Sequence, residues 1–173
     1  RTIYKLWDLR GCIFISMLNL IFGVLLLAVM KAFPRLVTSK IQESLLSILE
    51  GEIEEKYAVI QSFVDESLFL FHSTAIESLV FALVALVTIL ILIRLNGKIK
   101  IRKIIAWLVV LGITVVNLSS ALTSLKFLEA GSLNMASQGL RVLSILGFLM
   151  FIGGLCFLFV KTLKDLTQPR SVH

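Results

Sequence analysis

Charge is what this chain has least of. Asp, Glu, Lys and Arg together make up 16% of its residues, where a soluble domain carries about 25%. Proline occurs twice, as Pro34 and Pro169, so long helices can run unbroken between them. Cysteine also occurs twice. Cys12 and Cys156 sit in separate apolar runs, with no CxxC pair and no metal-ligand spacing. That excludes a disulfide framework and a zinc module. Both thiols read as small packing residues, with juxtamembrane palmitoylation of Cys12 as the alternative. No HExxH, GxSxG, P-loop or Gly-rich dinucleotide fingerprint occurs. The acidic run Glu50-Gly51-Glu52-Ile53-Glu54-Glu55 lacks EF-hand spacing and reads as a solvated helix face. The residues therefore predict no enzyme activity, no cofactor and no metal.

Apolar residues are abundant instead: 58% of the chain, with a mean hydropathy of +0.98. Crossing roughly 30 Å of hydrocarbon takes about 20 apolar helical residues. Four stretches qualify: residues 12–33, 75–95, 104–125 and 142–161. The expected fold is all-α, a single polytopic membrane domain over 1–173 with four transmembrane helices. The first apolar run is too long for a signal peptide and no cleavage site follows it before Pro34. The chain opens on Arg1 rather than Met, which fits a processed chain or a fragment.

Residues 35–73 form the one sizeable polar segment. Ser39-Lys40-Ile41-Gln42 reads as a capping box opening a helix, and apolar residues follow at helical spacing through Leu45, Ile48, Ile53, Tyr57, Ile60 and Val64. An amphipathic helix or helical hairpin is expected there. Thr74-Ala75-Ile76-Glu77 reads as a second capping box, which would start the second span near Ala75 and give Glu77 a structural role. His72, just outside that boundary, reads as structural too. Asn96-Gly97 reads as a turn, Gly131 as a helix end, and Ser132 or Asn134 as the cap of the fourth span.

The basic residues mark the membrane boundaries, so the net charge of +6 does not predict a nucleic-acid partner. The N-terminal arm, the 94–103 link and the C-terminal tail hold eleven Lys and Arg against Asp8 and Asp165, a net charge of +9. The other two boundaries hold six basic residues against nine acids, a net charge of −3. The positive-inside rule then places both termini in the cytoplasm, of a plasma or inner membrane, with 35–73 on the opposite side.

No Asp, Glu, Arg or His falls near the middle of a span, which weighs against proton-coupled transport. The intramembrane polar residues are small. Cys12, Ser16, Asn19 and Gly23 share one helical face, as do Thr114, Asn117, Ala121 and Ser124; Ser144, Gly147, Gly153 and Gly154 mark the fourth span. Such faces read as helix contacts joined by hydrogen bonds. The competing reading is a cavity lined by Ser16, Asn19, Asn117 and Ser120. Depth counted from the span boundaries separates Asn19 from Asn117 by roughly 9 Å, so no direct Asn pair is expected. Lys98, Lys100, Arg102 and Lys103 are the expected contacts for lipid or a partner.

The function expected is that of a non-enzymatic accessory, regulatory or sensory subunit. Its partners would be the bilayer and another membrane subunit, or a second copy of itself. The alternative is an oligomeric channel or facilitator for a small solute. Orientation is directly testable. A cysteine introduced within 52–56 should react with an impermeant thiol reagent on intact cells and one within 98–100 should not; the reverse pattern would refute the assignment.

Overall fold

The computed structural model describes residues 9–32, 38–39, 53–95, 98–130, 137 and 139–167. Residues 40–52 of the expected amphipathic segment, the 96–97 turn and the caps at 131–134 lie outside the described residues. Among the described residues there are four long helices: α1 (Arg10–Ala32), α2 (Ile53–Arg94), α3 (Ile99–Ala130) and α4 (Leu140–Thr167). Each contains a stretch long and apolar enough to cross a membrane. The chain is a multi-pass helical membrane protein.

The second helix departs from expectation. It does not start near Ala75 but runs 42 residues without a break, about 63 Å at about 1.5 Å per residue. That is twice the hydrocarbon thickness of roughly 30 Å. The reason is composition. No Gly or Pro occurs between Gly51 and Gly97, so nothing ends the helix where the apolar span does. The supposed capping side chains are turned to neighbours instead: Thr74 Oγ1 lies 3.1 Å from Ser124 Oγ, and Ser73 Oγ donates to Glu77 Oε1 at 3.2 Å.

α2 and α3 form the central antiparallel pair, α1 packs on α2 and touches α3, and α4 lies along α3. One end of the bundle carries Arg10, Arg94, Lys98 and the close of α4; we refer to it as the basic end and to the other as the distal end. The main core occupies the basic half and joins Cys12 of α1, Ala85, Ile89 and Leu92 of α2, and Ile105, Val109 and Ile113 of α3. A second apolar cluster sits on the projecting half of α2, where Ile60, Phe63 and Val64 meet Phe127 of α3. Phe63 and Phe127 stack with ring centroids 4.7 Å apart. Ile60 and Val64 belong to the stripe read from the sequence, and both are buried.

Helices in lipid gain little from apolar contact, because lipid tails are as apolar as leucine. Close backbone approach replaces it here. A Cβ built on Gly112 of α3 would lie 2.6 Å from the Phe151 nitrogen and 2.7 Å from the Gly147 oxygen of α4. Seven residues along α4, one on Gly154 would lie 2.6 Å from Cγ2 of Val109. Gly153 has nothing within 4 Å, so of the two adjacent glycines only Gly154 meets another helix. Gly23 does the same work between α1 and α2, at 3.0 Å from the Ala75 oxygen. Cys156, expected to pack inward, is exposed on α4, whereas Cys12 is buried.

These contacts set opposite signs for two glycine substitutions. Gly112→Ala should drive α3 from α4 and cost about 1–3 kcal/mol. Gly153→Ala should be neutral or gain up to about 1 kcal/mol from helix propensity. Reversible unfolding in mixed micelles measures both; equal losses at the two positions would contradict the packing described.

Candidate functional site

Among the described residues, two polar sites occur inside the bundle, and α3 contributes to both. The first lies deep in the apolar region. Asn117 Nδ2 on α3 donates to Asn19 Oδ1 on α1 at 3.0 Å and to Ser78 Oγ on α2 at 3.2 Å. Asn19 Nδ2 donates to Thr114 Oγ1 and to the Ile15 carbonyl, both at 3.0 Å. Ser78 Oγ then donates to the Asn19 carbonyl at 2.8 Å, and Thr114 Oγ1 to the Val110 carbonyl at 2.8 Å. Every donor hydrogen on these four side chains is used. Asn117 Oδ1 is buried without a partner. Rotating the amide would pair it no better, because it would set that oxygen against Asn19 Oδ1. The orientation is therefore fixed by the network, and one acceptor is left as its cost.

The direct Asn19–Asn117 contact corrects the expectation that depth would keep them apart. The error lay in counting both helices from a common boundary. Gly11 of α1 packs against the Trp107 ring of α3, since a Cβ there would lie 3.2 Å from it. From that level Asn19 is eight residues up α1 and Asn117 ten residues up α3. The mismatch is about 3 Å rather than 9 Å, which two amide side chains bridge.

The second site is a pocket of about 210 Å3 at the distal end, between α2, α3 and α4. Its lining is hydroxyl-rich, with Ser73, Thr74, Ser120 and Thr123 beside the Glu77 carboxylate, and Arg141 on the α4 side. Ser120 Oγ donates to Glu77 Oε2 at 3.3 Å and Ser73 Oγ holds the other oxygen. Counted from Arg94, Glu77 lies about 26 Å along α2, close to the roughly 30 Å length of a span and away from its midpoint. The pocket offers hydroxyl donors and acceptors with one charge of each sign. It can hold a small polar group, and its lining has no His or Cys to activate a hydroxyl.

The residues singled out from the sequence thus separate. Ser16 is buried on the α1 contact face with Cys12, Asn19 and Gly23, and donates to the Cys12 carbonyl at 2.8 Å. Asn19 and Asn117 join the deep network, while Ser120 lines the distal pocket, so the four do not form one cavity. Of the basic link, Lys98 and Lys100 are exposed and Lys103 is half-buried. Arg102 is only 5% exposed, unlike its neighbours in the link. Its Nε and Nη1 have no hydrogen-bond partner.

Sequence reasoning missed Ser78 and read Thr74 only as a helix cap. Their signal was present: Ser67, Thr74, Ser78, Ala82 and Ala85 are small residues at steps of three, four or seven, and all five are buried. Comparison with protein-family models, with curated proteins and with solved structures finds no match.

The deep network predicts coupling. Asn117→Ala should cost about 1–3 kcal/mol, since interhelical hydrogen bonds in lipid contribute about 0.6 kcal/mol on average and up to about 1.7. Asn19→Ala should add little on top of it. A double-mutant cycle in micelles reads the interaction directly, and strictly additive losses would show that the pair carries no energy.

Proposed function

We propose that this chain is a non-enzymatic membrane subunit that acts by contact, with the projecting half of α2 as its docking arm. Both termini lie in the cytoplasm in this reading, and the arm lies on the opposite side. One observation carries it: α2 continues for about 30 Å beyond the length needed to cross hydrocarbon, and that extension has its own apolar cluster with α3. A helix that merely completed a span would not need such support. The opposite face of the extension is exposed and bears Gln61, Asp65, Glu66 and Phe69, the last 70% exposed. Acids flanking one large aromatic suit a protein surface better than anionic lipid, which would repel them. Gln61 Nε2 donates to Asp65 Oδ1 at 3.2 Å along this face, one turn apart.

The channel reading draws on the distal hydroxyl pocket. Against it, the Asn19–Asn117–Ser78 contact joins three helices below that pocket and leaves no donor hydrogen free to line a path. A path in that reading would have to run between copies of the chain.

A photoreactive residue at Glu66 should form one discrete adduct in native membranes, and one at Leu149, exposed on the apolar surface of α4, should form none. Asp65→Lys, beside that probe, should abolish the adduct without lowering the melting temperature. Liposomes containing the purified chain should pass small solutes no faster than empty ones. Solute flux without any adduct would favour the channel.

A further inference from the structure

At the basic end, a cleft of about 790 Å3 opens between the first turns of α3 and the last turns of α4. Ile101, Ile104, Phe157 and Val160 form its walls, and Lys98, Lys161 and Lys164 complete the lining. The arrangement follows the polarity of one membrane leaflet. Lys98 precedes α3, and the apolar wall runs from there to Ile105, about 10 Å toward the bilayer centre. On α4 the order mirrors this: Phe157 and Val160 come first, then Lys161 and Lys164 toward the helix end.

We propose that this cleft binds an anionic phospholipid, with the phosphate between Lys98 and Lys164 and an acyl chain along the isoleucine and phenylalanine walls. Two observations and one exclusion select this occupant. Lys161 is already paired with Asp165, one turn away. Lys98 and Lys164 are exposed and have no carboxylate partner among the described residues, so the rim carries uncompensated positive charge. A soluble anion would satisfy the rim and leave the walls bare, whereas a zwitterionic lipid would bring its own cation against the lysines. A lipid with a net negative headgroup covers both parts. Basic pockets between transmembrane helices on the cytoplasmic side suit such headgroups. The site rests on the basic end facing an anionic leaflet, and it stands whether or not the α2 arm docks a partner.

The test uses the full chain purified in detergent, titrated by native mass spectrometry with phosphatidylglycerol and with phosphatidylcholine of the same acyl chains. Phosphatidylglycerol should bind about tenfold more tightly or better. A lysine at an anionic surface contributes roughly fivefold in affinity, so Lys98→Gln with Lys164→Gln should weaken that lipid by roughly 10–25-fold. Lys98→Arg with Lys164→Arg should retain it. Arg94→Gln with Lys100→Gln, which removes equal charge outside the cleft, should change binding less than twofold. Ile104→Trp, which fills the apolar wall, should weaken both lipids. Lipid-free melting temperatures identify any variant that is unfolded, and the arginine pair then decides on charge alone. Equal binding of the two lipids overturns the proposal, as does an equal loss in the control pair. Displacement by glycerol phosphate at the lipid's own concentration also overturns it, since that outcome marks a soluble-anion site.

Discussion

The structure depends on how closely α3 can approach its neighbours. Apolar side chains drive association in water but give little between helices already in lipid. What remains is dispersion at short range and hydrogen bonds that have no water to compete with. α3 uses the two means on different faces. Toward α4 it presents Gly112, where backbone meets backbone with no room for a methyl group. Toward α1 and α2 it presents Thr114 and Asn117, which tie three helices at one level. Each device needs the other. The network holds only if the helices stand at hydrogen-bond distance, and the glycine contact fixes α3 against α4 so that its polar face turns inward.

This division explains why the two halves of the bundle differ. In the basic half the interior is filled by Ile89, Leu92, Ile105 and Val109. In the distal half the helices meet through Ser and Thr hydroxyls, and a pocket opens beside Glu77. Small hydroxyl side chains permit approach but fill little volume, so polarity and empty space arise from the same choice of residue. Beyond the pocket the projecting half of α2 would be unsupported. The Phe63–Phe127 stack supplies the support, at the cost of extending α3 past its own apolar span to Ala130.

Arg102 shows a different balance at the basic end. A guanidinium with two nitrogens lacking acceptors is expensive to bury. Arg102 lies one turn into α3, and its amide donates to the Lys98 carbonyl at 3.4 Å. A fixed positive charge at this depth strengthens the charge asymmetry that orients the spans.

How much of this was legible in the sequence follows from the range over which each signal acts. The four spans are set by local apolar length, and each falls on one of the four helices. The buried face of α1 is set by a period of 3.6, and Cys12, Ser16, Asn19 and Gly23 are its buried residues. Gly147 and Gly154 share a face because they are seven residues apart, whereas Gly153 is turned about 100° away from Gly154 and meets nothing. What failed was whatever depends on two helices at once. Periodicity names the face of α1 and the face of α3, but it does not say how far one helix is shifted along the other. That shift is set by Gly11 against Trp107, a contact between a missing side chain and a large one. Nothing in either helix alone marks those two residues as partners. A shift of a few residues decides whether Asn19 meets Asn117 or is left unpaired in lipid. The polar network is thus a consequence of register. Register is a property of shape complementarity between surfaces, which a single sequence encodes without displaying.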